Sequence, residues 1–252
     1  MKLTSRDNPK VRHWTKLASD GRYRRSKGRA LIEGPHLVQA ALQAGLEVHA
    51  FLVSDKARPE VASMAASPII LSDRVFAGVV DAETPPGIAA EISIPSPRAA
   101  KGDTVFLEGV QDPGNVGAIM RSAAAFGVAA VTLDRACADA WSAKTLRAGM
   151  GAHFALQLKT VSSLEEELER FAGRILCTVP RGGVVLAEAD LGRPVGWLFG
   201  AEGRGVSPEA IRHTDLKVTI PMIDGTESLN VAAAAAICLY VRSSISLRRE
   251  PQ

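Results

Sequence analysis

From residue 104 onward the chain alternates short apolar runs with helical ones. Strands are predicted at 104–109, 128–133, 154–158, 174–179, 195–199 and 216–220, and helices at 115–126, 141–149, 163–171, 208–213 and 231–241. Strands separated by helices run the same way, so the pattern predicts an α/β domain with a mostly parallel sheet. Ligands of such sheets gather beyond the carboxyl ends of the strands. Three polar, glycine-bearing stretches stand at those ends, at 108–115, 200–205 and 220–230. The preceding residues read as a smaller α/β domain. It has a short strand after Arg29, a helix closed by Gly45, a strand at 48–53, helices at 58–66 and 72–80 around a strand at 68–71, and a strand at 88–94. Residues 95–103, with two prolines and mixed charge, read as a linker. The expected boundaries are therefore 1–94, 95–103 and 104–246.

The formal net charge of +3 conceals an asymmetry, because residues 1–30 hold ten Lys and Arg against Asp7 and Asp20, a local +8. The remainder is 3 − 8 = −5. A basic end on a mildly acidic body is the pattern of a protein that meets a polyanion, and nucleic acid is the commonest such partner. Arg6, Lys10, Arg12, Arg22, Arg24, Arg25 and Lys27 are the candidate contacts, with Trp14 and Tyr23 among them to stack on bases. The alternative is a solvated, frayed terminus. Cys137, Cys177 and Cys238 are widely spaced in apolar sequence, which suggests buried free thiols in a reducing cytoplasm rather than a disulfide framework. The first residues lack an apolar signal core, and the longest apolar run, 231–241, is too short for a membrane span. A cytoplasmic protein with no membrane partner is expected.

The stretch 108–115 leads into a helix with Asn115 placed to cap it and Gly127 to end it. Val116, Ile119, Met120 and Ala123 form an apolar stripe. Arg121 points away from it, on a face of Ala118, Ser122 and Ala125, either solvated or covered by another element. The strand at 195–199 empties into a turn with one carboxylate, Glu202. Its glycines are spaced GxxGxG rather than GxGxxG, so a dinucleotide site is not indicated. In the third stretch Pro221 ends a strand, Gly225 frees the backbone, and Ser228 and Asn230 offer capping side chains before a helix that opens with small residues. No Walker A pattern, no GxSxG elbow and no histidine spacing suited to a metal occurs, so no metal is expected.

Together, Val110-Gln-Asp-Pro-Gly-Asn-Val-Gly-Ala-Ile-Met-Arg-Ser-Ala-Ala-Ala-Phe-Gly127, Leu198-Phe-Gly-Ala-Glu-Gly-Arg-Gly205, and Ile220-Pro-Met with Glu227-Ser-Leu-Asn-Val-Ala232 resemble the three signatures of the SpoU (TrmH-type) RNA 2′-O-ribose methyltransferases of the SPOUT class. The N-terminal part, including Ser5-Arg-Asp-Asn-Pro-Lys-Val-Arg12 and Leu31-Ile-Glu-Gly-Pro-His-Leu37, is similar to the L30e-like substrate-binding extension of the ribosomal-RNA members. The resemblance implies a C-terminal α/β trefoil-knot domain that holds S-adenosyl-L-methionine, and a homodimer with its active site near the interface. By motif position it assigns Gly200, Ala201, Ile220, Met222 and Leu229 to the cofactor, with Gly149 from a further similar segment, 146–151. Asn115, Arg121, Glu202, Ser228 and Asn230 match the catalytic set.

A ribose hydroxyl is a poor nucleophile, so methyl transfer to it needs alignment and help with a proton. The resemblance makes Arg121 the proposed base, yet arginine stays protonated, and a bidentate grip on the phosphate beside the target ribose is the preferred reading. Asn115 and Asn230 would help fix the arginine and the target nucleotide, Glu202 would orient the loop and partner groups, and Ser228 would offer a hydroxyl at the reaction centre. The expected substrate is ribosomal RNA of the 23S type. Transfer RNA is the alternative, and a non-catalytic RNA-binding protein on the same fold is another.

Overall fold

The computed structural model describes residues 2–192, 194–223 and 227–247. In chain order the first part contains β1 (Lys2–Leu3), α1 (Pro9–Ser19), α2 (Gly21–Lys27), β2 (Arg29–Glu33), α3 (Pro35–Gln43), β3 (Val48–Ser54), α4 (Pro59–Ala62), β4 (Pro68–Leu71), α5 (Asp73–Ala77) and β5 (Ile88–Ser93). There follow β6 (Thr104–Glu108), α6 (Pro113–Ala125), β7 (Ala130–Asp134), α7 (Ala143–Gly149), β8 (Gln157–Val161), α8 (Leu164–Arg170) and β9 (Arg174–Thr178). The chain then continues through β10 (Val184–Val185), β11 (Val195–Gly200), α9 (Pro208–Ile211), β12 (Leu216–Thr219) and α10 (Val231–Leu247). Two compact units result: Met1–Ser96 with Asp139–Phe154, and Pro97–Ala138 with Ala155–Gln252.

The first unit is built on a mixed sheet ordered β1-β4-β3-β5-β2, in which β5 runs antiparallel to both its neighbours. The basic segment is neither frayed nor wholly solvated. Asn8 Oδ1 accepts the Lys10 amide at 2.9 Å and Pro9 opens α1, while Asp20 Oδ1 accepts the amides of Arg22 and Tyr23 to cap α2. Val11, Trp14 and Leu17 recur at helical spacing and are buried against Leu31, Leu52, Leu71 and Phe76. The proposed stacking role of Trp14 is therefore corrected: it is 2% exposed and its indole nitrogen donates to Glu91 at 2.9 Å. Arg24 is corrected as an RNA contact for the same reason. It is 4% exposed, its Nη2 lies 2.8 Å from Asp139, and Nη1 donates to the carbonyls of Leu17 and Ala18.

Asp139–Phe154, which the strand and helix alternation assigned to the second domain, packs within this first unit. Arg147 joins Glu33 and Asp81, and Asp139 joins Arg24. The α7 helix it carries closes at Gly149 and Met150, the latter in the left-handed conformation.

The second unit has a seven-stranded sheet ordered β10-β12-β9-β11-β6-β7-β8, and every neighbouring pair is parallel. Parallel sheets carry helices on their faces, which explains the near-continuous burial of β6 and β11. Helix α10 packs along α6, whose Val116, Gly117, Ile119, Met120 and Ala123 are buried. An ion pair between Arg242 and Asp103 at 2.9 Å ties the far part of α10 to the start of β6. Several elements differ from expectation in extent. The helix expected at 58–66 is a single turn, and β8 begins three residues late because Ala152–Phe154 forms a 3₁₀ turn. β1 and β10 are too short to show a period.

Candidate active site

The carboxyl ends of β9, β11 and β12 and the start of α10 enclose a cavity of about 290 Å³. Its lining includes Gly200, Ala201, Ile220, Met222 and Leu229, five of the six residues expected at the cofactor. Gly149 belongs to α7 in the first unit and is not among the residues that line this cavity. Three residues at the end of β9, Thr178, Val179 and Pro180, were not anticipated. They carry no glycine and no charge, and only their place after a parallel strand marks them. Gly225 lies outside the described residues.

Backbone geometry explains the glycine turn. A Cβ on Gly200 would stand 2.2 Å from the carbonyl carbon of Gly205, and Gly203 and Gly205 adopt φ of 81° and 67°. The turn closes through the Gly205 amide on the Ala201 carbonyl at 2.8 Å. This tight return leaves backbone at the cavity wall where side chains would otherwise fill it.

Glu202 follows directly and organises the polar edge. Its Oε1 accepts from Asn115 Nδ2 at 2.8 Å and from Asn230 Nδ2 at 2.7 Å, and Asn230 Nδ2 also approaches Asn115 Oδ1 at 3.0 Å. Three signatures distant in sequence thus meet through one carboxylate. Asn230 additionally caps α10, its Oδ1 accepting the amides of Ala232 and Ala233. Asn115 is not the cap of α6. Asp112 performs that task, accepting the Asn115 amide at 2.8 Å ahead of Pro113, so the Asn115 side chain is free to reach Glu202. Ser228 lines the cavity and is exposed.

Arg121 stands apart from this cluster. Six residues beyond Asn115, it lies about 120° round the helix, is exposed, and has no hydrogen bond or ion pair among the described residues. Its face of Ala118, Ser122 and Ala125 is small, and on α10 the exposed Ala233, Ile237 and Tyr240 share one face. Tyr240 meets Phe126 edge-on at 5.9 Å.

A second cavity of about 510 Å³ shares Ala201 and Glu202 with the first and is otherwise lined by Gly109, Val110, Gln111, Asp112, Asn115, Ala136 and Arg204. Among the described residues no group of three or more His, Cys, Asp or Glu is placed to hold a metal, and no helix is long and apolar enough to cross a membrane. Burial pushes the Cys238 thiol up to about 12 and raises those of Cys137 and Cys177, which makes all three poor nucleophiles.

Comparison with known proteins gives this arrangement its class. The profile of the SpoU rRNA methylase family matches residues 103–240, and that of the MRM3-like substrate binding domain matches residues 8–90. The chain belongs to the SpoU rRNA methylase family. It is 36% identical over 242 residues to a 23S rRNA guanosine 2′-O-methyltransferase, RlmP, of Bacillus subtilis, covering 94% of this chain and 97% of that one. An AdoMet-bound rRNA methyltransferase from Sinorhizobium meliloti superposes with a TM-score of 0.82 at 26% identity, over 97% of this chain and 98% of that one. A TrmH/SpoU tRNA-modifying enzyme of A. aeolicus, at 27% identity and a TM-score of 0.53, covers 61% of this chain and 79% of that one.

Proposed function

We propose that this protein transfers a methyl group from S-adenosylmethionine to a ribose 2′-oxygen of ribosomal RNA in the cytoplasm. The observation that carries the reading is the convergence of Asn115, Glu202 and Asn230 on the rim of a cavity lined by Gly200, Ile220, Ser228 and Leu229. The lining suits the cofactor. Val179, Ile220, Met222 and Leu229 offer apolar cover for an adenine, and the Gly200–Gly205 turn, whose return a Cβ at Gly200 would disrupt, brings backbone polar groups to the wall. Bound there, S-adenosylmethionine supplies an electrophilic methyl carbon.

The chain's own groups prepare the acceptor. Glu202 holds both asparagine amides by charge-assisted hydrogen bonds, which fixes them at low entropic cost. Ser228 offers its hydroxyl to the incoming ribose. Arg121, exposed and without a partner in its own chain among the described residues, grips the phosphate beside that ribose and sets the 2′-oxygen in line. Its place on another face of α6 fits a homodimer in which the second copy delivers it, and the Ala233, Ile237 and Tyr240 face is apolar enough to be covered. In the first unit, Arg6, Lys10, Arg12, Arg22, Arg25 and Lys27 are exposed and serve as the RNA contacts.

Full-length likeness supports ribosomal over transfer RNA as the substrate, since the rRNA enzymes match both units and the tRNA enzyme spans three-fifths of the chain. The decisive experiment combines calorimetry with S-adenosylmethionine and ribose-methylation maps of RNA from cells with and without the protein. One ribosomal site lost is expected; absence of cofactor binding overturns the reading in favour of a non-catalytic RNA-binding protein. Arg121→Lys tests the grip, because a lysine keeps charge but not the bidentate fork. Turnover is expected to fall at least tenfold with cofactor affinity unchanged, and full activity in the lysine variant defeats the assignment.

A further inference from the structure

The second cavity has no part in holding the cofactor as described above, yet it shares Glu202 and Ala201 with the cavity that does. Its volume, about 510 Å³, is that of a small-ligand site. Its charges are two carboxylates, Asp112 and Glu202, and one guanidinium, Arg204, a formal balance of −2 + 1 = −1. Such a lining repels a phosphate, so what enters from an RNA is the uncharged part of a nucleotide. Gly109, Val110, Ala136 and Ala201 supply small, mostly apolar surface of the kind a planar base covers. The polar groups left over offer a guest both an acceptor oxygen and donors. Asp112 uses Oδ1 on the Asn115 amide, and neither its Oδ2 nor the side chains of Gln111 and Arg204 have a hydrogen-bond partner among the described residues.

We infer that this cavity seats the nucleobase of the target nucleotide, extruded from its stack, and that it selects guanine through Asp112 and Gln111. Guanine alone presents two adjacent N–H donors, N1–H and N2–H₂, on its Watson–Crick edge, and a carboxylate oxygen flanked by an amide accepts such an edge. A base held there places its own ribose at the wall common to the two cavities. Glu202 and Ala201 form that wall, and Asn115, which lines the second cavity, donates its amide to Glu202 at 2.8 Å, so one carboxylate and one amide register sugar against cofactor. Arg204, at the same rim, is left to meet the guanine O6 or the adjoining backbone. The inference rests on the first cavity being the cofactor's.

Two substitutions test it with the whole protein. Ala136 is exposed and its amide donates to Asp134 at 3.0 Å, a bond that Ala136→Leu retains while filling the second cavity alone. Asp112→Asn keeps a capping side chain on α6 and exchanges an acceptor oxygen for a donor. Each is assayed for S-adenosylmethionine affinity by calorimetry, for thermal midpoint, and for tritiated methyl transfer into ribosomal RNA from cells lacking the protein. The modified nucleoside is identified by mass spectrometry. The expected result is a loss of at least tenfold in kcat/KM for RNA in both variants, cofactor affinity within twofold of the parent, and 2′-O-methylguanosine as the product. Undiminished transfer by Ala136→Leu overturns the seat, and a methylated adenosine, uridine or cytidine overturns the guanine selection. A parent protein that neither binds the cofactor nor methylates overturns instead the reading on which the inference rests.

Discussion

Arg24 on α2 and Arg121 on α6 are both helix arginines in polar-looking sequence, and the structure uses them in opposite ways. Arg24 is buried, with Nε and Nη2 on Asp139 and Nη1 on two carbonyls. Arg121 is exposed and makes no such bond among the described residues. The same division runs through the first unit and the cavity rim of the second. In the first, Glu91 is 7% exposed and receives Trp14, His13 and Arg29, while Glu33 accepts two backbone amides. At the rim, Glu202 is held by two asparagines and remains in solvent. A buried charge whose partners are all internal is committed to the fold, because removing any partner leaves an uncompensated ion. A charge held in place but open to water has been kept available.

The largest effect is expected at Arg24. Arg24→Ala leaves Asp139 without its cation and empties a buried site, at a cost of about 3–5 kcal/mol. Chemical denaturation should show that loss, and a variant as stable as the parent would mean that Arg24 is no scaffold. Glu202→Ala should behave in the reverse manner. Methyl transfer is expected to fall by about 10²–10³, equivalent to about 3–4 kcal/mol in the barrier, with the denaturation midpoint unmoved because the residue is exposed. A matched fall in stability would reassign Glu202 to the scaffold.

His153 sharpens the same contrast through pH. Burial lowers its pKa to about 4, and its Nε2–H donates to the Ala140 carbonyl at 2.7 Å while Nδ1 has no partner among the described residues. The unfolded chain binds a proton near the ordinary value of 6.5, so between 6.5 and 4 it holds more protons than the native state. The stabilisation is complete above pH 6.5 and is lost as pH falls toward 4. Its full size is about 3 kcal/mol. Denaturation at pH 7.5 and 4.5 should show a steeper loss in the parent than in His153→Phe, and parallel curves would mean that His153 is not kept neutral by its surroundings.

The legible part of the molecule was the part where local pattern and global role coincide. The seven-stranded parallel sheet follows from strands that alternate with helices, and the cavity from polar turns at strand ends. Five of the six residues expected at the cofactor stand in those turns and line that cavity. What stayed hidden depended on long-range pairing. Charge density masked the core stripe of Val11, Trp14 and Leu17, although Asn8-Pro9 is a helix start in its own right. Helix α7 reads as one more element of the alternation, and only the ion pairs of Asp139 and Arg147 with residues more than 60 positions away show which unit it joins. Asn115 looked like a cap because it precedes an apolar helix. Asp112 and Pro113 start that helix earlier, and this shift of three residues turns Asn115 from a cap into a partner of Glu202.

The smallest expected effects belong to two exposed lysines in the same unit as Arg24. Lys10 and Lys27 are exposed, and Lys27 lies over the Tyr23 ring at 5.6 Å while Arg24, three residues earlier, faces inward. Neither lysine has an acidic partner in the structure among the described residues. Replacing either with Ala removes one phosphate contact at most, which weakens RNA binding by about 1 kcal/mol or less and lowers the slope of log K against log salt by about one. The change should be the same for every RNA sequence tried, since phosphates carry no sequence. Filter binding at several salt concentrations measures both quantities. A lysine variant that lost stability instead, or whose RNA affinity kept the parental salt slope, would move that residue to Arg24's side of the comparison.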